Sequence, residues 1–130
     1  MASERVIPVL VYDDIVAAHD FLVRTFGFQS DGVMHDGSGQ AVHGQIRVGD
    51  QVIWLHRAAH DLNLTSPRAI PAASSGLVIH VPDVDAHFQH ARESGARVEG
   101  EPQNMPYGQR EYGASDLEGH RWWFATPLPG

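Results

Sequence analysis

The 130-residue chain contains no cysteine. That excludes disulfides, thiolate metal ligands and a cysteine nucleophile. It contains no lysine either: all nine basic side chains are arginine, set against sixteen carboxylates, for a formal net charge of -7. The arginines are scattered singly along the sequence. Nucleic-acid binding needs clustered basic residues to neutralise phosphates, so no nucleic-acid partner is expected. The missing lysine reads as a coding bias toward arginine rather than a functional choice. The acidic balance mildly favours a cationic ligand and says no more. No apolar run approaches 18 residues, and no membrane span is predicted. The first five residues carry neither the basic region nor the apolar stretch of a signal peptide, so cytoplasmic residence is the expectation. There is no Gly-rich phosphate loop, and local sequence assembles no Ser-His-Asp or Cys-His constellation. Any general base would be a histidine acting alone, which is poor ground for an enzyme.

What the chain does contain is a repeat. Hydrophobic residues make up 42% and charged residues 19%, the balance of an ordinary globular domain. A stretch near the C-terminus, Tyr107 to Ala125, reads as two strands joined by the turn Asp116-Leu117-Glu118-Gly119, the second strand carrying Trp122-Trp123-Phe124. His43 to His56 has the same layout. Gly44 lies 69 positions before Gly113, and Trp54 lies 69 before Trp123. Around these hairpins the chain runs strand, helix, strand, strand, strand, twice. The first helix is capped by Asp14, carries Ile15, Ala18, Leu22 and Phe26 at helical spacing, and stops at Gly27. The second is capped by Asp83, runs from Val84 to Ser94 and stops at Gly95. Residues 57–75 hold two prolines and no periodicity, and read as a connector or as a flap at a site. Pro102 to Tyr107 reads as a turn-rich loop. The predicted fold is α+β: one domain over residues 1–130, with tandem βαβββ modules at about 4–57 and 75–127 and a connector over 58–74.

Strand alternation assigns the faces. Ile53, Leu55, Leu77, Ile79, Val81, Trp122 and Phe124 are expected to meet the helices. Val52, Trp54, His56, Gly76, Val78, His80, Arg121 and Trp123 are left for a cleft on the opposite face, together with His43, Gln45 and Arg47. A slip of one residue would reverse any of these.

With the repeat in this order, the sequence resembles the vicinal oxygen chelate superfamily, which holds glyoxalase I, bleomycin-resistance proteins and extradiol dioxygenases. The resemblance spans nearly the whole chain. It rests on the paired layout, on His43-Gly-Gln-Ile-Arg-Val-Gly-Asp50, on Val81-Pro-Asp-Val-Asp85, and on Asp116-Leu-Glu-Gly-His120 before an aromatic strand. It implies the same fold of two modules around a shared cleft, with helices on the far side of the sheets. It also implies four inward positions, one on the first and one on the last strand of each module, that hold a divalent metal in the enzymes. Here those positions carry Ile7, Trp54, Gly76 and Trp123, none of which donates to a metal. The resemblance then points to the metal-free, drug-binding members of the bleomycin-resistance type, which are dimeric and hold a planar antibiotic. On that reading there is no cofactor and no catalytic residue. A flat aromatic small molecule stacks between Trp54 and Trp123, and the partners are that ligand and a second copy of the chain. His56, His80, His43, Gln45, Val78, Arg121 and Tyr107 complete the binding set.

Bland readings stand beside these. On these, Trp54 and Trp123 plug the space of a lost metal, and the cleft histidines are satisfied or rim residues. His43, His56, His80 and Glu111 are the raw material for a relocated metal site, which would support a glyoxalase-like lyase or a dioxygenase instead. A carrier or sensor for a non-aromatic ligand is a third reading. His87 and His90 read as a solvated helix face, and Arg110 and Glu111 as a structural ion pair.

Overall fold

The computed structural model describes residues 4–130. The first module consists of β1 (Val9–Tyr12), α1 (Ile15–Phe26), β2 (Gln29–His35), β3 (Ala41–Val48) and β4 (Gln51–Arg57), its sheet ordered β1-β4-β3-β2. The second consists of β5 (Gly76–His80), α2 (Val84–Glu93), β6 (Arg97–Val98), β7 (Gln103–Met105), β8 (Gln109–Ser115) and β9 (Arg121–Pro127). Its sheet is ordered β5-β9-β8-β6, with β7 also paired to β8. In each module the first strand runs parallel to the last and the other pairs are antiparallel. This is the α+β arrangement of two βαβββ modules that the repeat predicts.

The helices begin and end for local reasons. Asp14 Oδ1 accepts from the Ala17 N–H at 3.0 Å, and Asp83 Oδ1 from the Ala86 N–H at 3.1 Å. Each satisfies one of the free donors of a first helical turn. Gly27 ends α1 in the left-handed region, at φ 79°. The apolar stripe of α1 buries Ile15, Ala18, Leu22 and Phe26, and α2 buries Val84, Phe88 and Ala91.

One core serves both modules. Phe26 of α1 lies 5.8 Å from Trp122 and 4.8 Å from Phe124 of β9, ring centroid to ring centroid. Trp122, Phe124, Leu22, Ile46 and Leu55 are fully buried. Each such side chain contributes about 1.5–3 kcal/mol relative to exposure, so neither sheet keeps its stability without the other.

Polar ties cross the same boundary. Glu118, in the turn between β8 and β9, is buried. It accepts from the backbone N–H groups of Asp13 and Asp14 at 2.7 and 2.9 Å and from the Ser66 hydroxyl at 2.7 Å. Asp116 accepts from the Tyr12 hydroxyl at 2.5 Å and from the Trp122 indole N–H at 3.0 Å. Burial, and then the Asp116 charge, push the Tyr12 hydroxyl well above the usual phenol range. The turn is therefore a peg set into the start of α1, with a negative charge at a helix N-terminus.

Several expectations need correction. β1 starts at Val9, not at Arg5: Pro8 has no N–H to donate, and only its carbonyl joins the sheet, accepting from Trp54 N at 3.0 Å. The stretch between Pro102 and Tyr107 contains a ninth strand, because Gln103–Met105 pairs with Glu111, Arg110 and Gln109. The connector folds into two 3-10 turns, His60–Leu62 and Pro67–Ala69, with a bridge between Ala59 and Leu64. Arg110 and Glu111 do not pair with each other. They are adjacent on one strand and point to opposite faces, so Arg110 binds Asp85 at 3.0 Å while Glu111 accepts from Tyr107 at 2.5 Å. His90 is exposed, as a solvated face requires, but His87 is half-buried. His87 reaches the Phe26 carbonyl at 2.8 Å and the Tyr112 hydroxyl at 2.6 Å, and His90 reaches the Arg24 carbonyl at 2.8 Å. The end of α1 offers acceptors that sequence spacing does not reveal.

Candidate functional site

Strand register lays the uncovered face of each sheet out as rows. On the first sheet one row runs Val9, Trp54, Gln45, and the next runs Val11, His56, His43, Met34. On the second sheet one row runs Gly76, Arg121, Ser115, Arg97, and the next Val78, Trp123, Gly113. A third runs His80, Ala125, Glu111, Gln103. The register follows the alternation predicted from sequence: Ile53, Leu55, Trp122 and Phe124 are buried in the core, while Trp54 and Val78 are 36% and 54% exposed; Val52, expected in the open cleft, is buried instead.

The register also corrects the repeat. Trp54 and Trp123 are equivalent, yet Trp54 pairs with Gln45 whereas Trp123 pairs with Gly113. The counterpart of Gly113 is thus Gln45, 68 residues before it, and not Gly44. The shift follows from turn length: Val48 pairs directly with Gln51, whereas five residues separate Ser115 from its partner Arg121.

Around Trp54 the first sheet builds a polar chain. The indole N–H donates to Gln45 Oε1 at 2.9 Å, and Gln45 Nε2 donates to Asp31 at 2.6 Å. Arg47 closes the chain on Asp31 at 2.8 Å. The Gln45 amide, and then Arg47, hold the Asp31 carboxyl below the usual carboxylate range. His43 meets the indole edge-on, with ring centroids 5.3 Å apart. Trp54 is thereby held in one orientation by its N–H and its edge, with its Gln45 and His43 partners lining a hollow of about 360 Å³ with Met34.

Trp123 is held differently. A methyl group built on Gly76 would collide with the six-membered ring of its indole and stand 3.1 Å from the Arg121 carbonyl. One built on Gly113 would lie 3.2 Å from the indole Nε1. The ring therefore lies across the backbone of β5 on one side and β8 on the other, flat on the sheet. The Arg121 guanidinium stands over it, 5.2 Å from the ring centroid, and is ion-paired to Glu99. Gly76, which alternation already assigns to the cleft, and Gly113 both make room for the Trp123 ring. The repeat marked both, but only register shows which neighbour needs the room.

Of the remaining candidates, His80 Nε2 donates to Gln109 Oε1 at 3.2 Å. With Val78, Val52, Val6 and Pro8 it lines an apolar hollow of about 510 Å³ between the two modules. His56 Nδ1 donates to its neighbour's carbonyl, Arg57 O, at 2.7 Å. Tyr107 is exposed, and the Glu111 carboxylate beside it pushes its hydroxyl up from the usual range. The candidates fall into two groups, one per sheet. Among the described residues no hydrogen bond, ion pair or ring contact joins Trp54, His43 and Gln45 to Trp123, Arg121 and His80.

The divalent metal that the fold implies does not fit these residues. The four corresponding positions hold Ile7, Trp54, Gly76 and Trp123, and the Trp123 ring occupies the space a side chain at position 76 would need. Among the described residues no three His, Asp or Glu side chains converge as a metal would require.

Comparison with known proteins bears on the family and the fold. The model of the Glyoxalase/Bleomycin resistance protein/Dioxygenase superfamily matches residues 6–124. Protein Rv0887c of Mycobacterium tuberculosis is 27% identical over 124 residues, covering 93% of this chain and 73% of its own. TioX from Micromonospora sp. ML1 superposes with a TM-score of 0.76 at 28% identity, over 97% of this chain and 100% of TioX. TnmS3, an antibiotic binding protein from Streptomyces sp. CB03234, gives a TM-score of 0.74 at 26% identity, over 98% of both chains. By its repeat, its sheet topology and a family match over nearly its full length, the chain belongs to the glyoxalase/bleomycin resistance protein/dioxygenase superfamily.

Proposed function

We propose that this protein binds and sequesters a flat aromatic small molecule of the antibiotic kind, without a metal and without chemically changing it. The observation that carries the reading is the Trp123 indole, laid flat on Gly76 and Gly113 so that one π-face turns away from the sheet. The ring is backed by glycine on one side and covered by the Arg121 guanidinium on the other, so the surface presented to a ligand is that guanidinium together with the half-buried indole. A planar ligand stacks on either surface. The similarity to TnmS3 supports the same kind of function.

Trp54 supplies the second wall. Since the two groups of residues make no contact within a chain, the sandwich is completed by Trp54 of one copy facing Trp123 of another, in a cytoplasmic homodimer. His43, Gln45, His56 and His80 offer polar contacts, Val78 an apolar one, and Tyr107 lines the mouth. Stacking is worth roughly 1–3 kcal/mol per face, hence at most about 6 from two indoles. Micromolar affinity needs about 8 kcal/mol, and the apolar hollow lined by Val52 and Val78 supplies the difference.

The test is a calorimetric titration with the planar acridine proflavine, alongside a non-planar amine of similar charge. Trp123→Ala is expected to lower proflavine affinity at least tenfold while the protein stays folded. Equal binding of the two compounds, or unchanged affinity in the variant, removes the stacking reading.

A further inference from the structure

Beside Trp123 lies a cavity that the stacking walls do not use. It has a volume of about 620 Å³ and is lined by Arg68, Arg97 and Arg121, with Ser115, Leu117 and Pro71 among the other walls. Three of the nine basic side chains in a chain of net charge -7 thus surround one hollow. Scattered singly in sequence, they converge by folding. Arg97, Ser115 and Arg121 are direct register partners across β6, β8 and β9, on the face that carries Trp123. Arg68 arrives from the connector, whose second 3-10 turn is pinned where the Ser66 hydroxyl meets Glu118.

The charge balance inside the hollow favours an anion. Among the described residues, Arg68 and Arg97 have no ion-pair partner, and neither guanidinium donates a hydrogen bond to the protein. The carboxylates nearby are both engaged. Glu118 is buried and accepts from Asp13, Asp14 and Ser66, while Glu99 is paired to Arg121. Two unpaired guanidinium groups and a serine hydroxyl line this hollow, and they are the donor types that a carboxylate or sulfonate accepts.

We propose that this arginine pocket receives an acidic group carried by the bound aromatic molecule, so that the preferred ligand is a flat aromatic acid. The inference rests on the stacking reading and sharpens it. Arg121, over the indole and at the rim of the pocket, joins the two subsites. The overall negative charge of the protein then acts against the ligand at long range, and the local cluster overcomes it only at contact.

The experiment compares anthraquinone-2-carboxylate with its neutral carboxamide by tryptophan quenching. It uses the wild type and the double variant Arg68→Gln/Arg97→Gln, neither residue being part of the stacking wall. The acid is expected to bind the wild type at least tenfold more tightly than the amide, the advantage shrinking at high salt and disappearing in the double variant. Equal binding of acid and amide to the wild type, or an advantage that survives in the double variant, overturns the proposal and leaves stacking intact. Inorganic sulfate provides the second arm, read by NMR at the arginine Nε–H signals. Shifts at Arg68 and Arg97 that exceed those at the exposed Arg24 support the pocket even where neither anthraquinone binds, an outcome that would sink the stacking reading instead. Uniform shifts, with no anthraquinone binding, overturn both.

Discussion

At the scale of single residues, the most constrained site feature is a side chain that is missing. Gly76 has ordinary strand geometry, so its need for glycine is one of space and not of φ. Gly76→Ala is expected to push the Trp123 indole off the sheet and to cost about 1–3 kcal/mol, as inserting a methyl into a filled position does. Urea unfolding gives the cost, and a shift of tryptophan emission reports the displaced ring. In a Trp123→Ala background the same change should cost little, and the difference between the two values is the coupling between the residues. This partnership was only half legible in the sequence. The repeat placed Gly76 and Trp123 on one face, but that the ring lies over the glycine depends on the parallel register of β5 and β9, which no local pattern carries.

At the scale of elements, the turn between β8 and β9 matters most. Its residues read as turn formers in sequence, and they are; what the pattern does not contain is that the turn also closes the first module. Asp116 Oδ1 accepts from the N–H groups of Glu118 and His120, which shapes the turn itself. Glu118 then takes the two N–H groups ahead of α1 and the hydroxyl that fixes the connector. Glu118→Ala leaves the buried Ser66 hydroxyl and two half-buried N–H groups without their acceptor. It is expected to cost roughly 3–5 kcal/mol by urea denaturation, since hydrogen bonds to charged groups are worth about 1.5–3 kcal/mol each and do not add fully. Contacts between residues more than 100 positions apart leave no periodic trace. The element order, the caps at Asp14 and Asp83 and the alternation along β4, β5 and β9 do leave one, and they were legible. β7 was not, because its pairing comes from β8 and its flanking prolines read as loop.

At the scale of the molecule, the two modules form one cooperative unit, and His87 sits on their boundary. The Phe26 carbonyl only accepts, so His87 Nε2 carries the proton and Nδ1 accepts from the Tyr112 hydroxyl. The ring also lies 4.1 Å from the Phe124 ring, centroid to centroid. Burial, with the nearby His90 adding to it, pushes the His87 pKa below its ordinary value of 6.5. The unfolded chain therefore binds the proton more readily than the folded one. The contribution of His87 to stability is whole above pH 6.5 and is lost as pH falls through its depressed folded pKa. Unfolding midpoints measured from pH 7 to 5 should fall less steeply in His87→Gln than in the wild type; equal slopes would assign the acid loss to other groups. The sequence did expose the apolar residues that make this shared core. It could not show that the helices bring their histidines to each other's neighbours, because a histidine on a polar helix face looks the same whether it meets water or a carbonyl.

The pair at positions 76 and 123 also bears on history. If these are metal-ligand positions in other members, as the resemblance implies, a lineage passing between a metal-holding and a tryptophan-bearing form has to change both, and the steps do not commute. With the indole in place, a histidine or glutamate at 76 meets the ring before it meets any ion. With glycine in place first, the indole simply lies down. Loss of the ligand at 76 is therefore the step that opens the route, and a return begins at 123. The bulky residue then acts as a ratchet, and two substitutions that look independent in sequence are coupled so that one order is favoured.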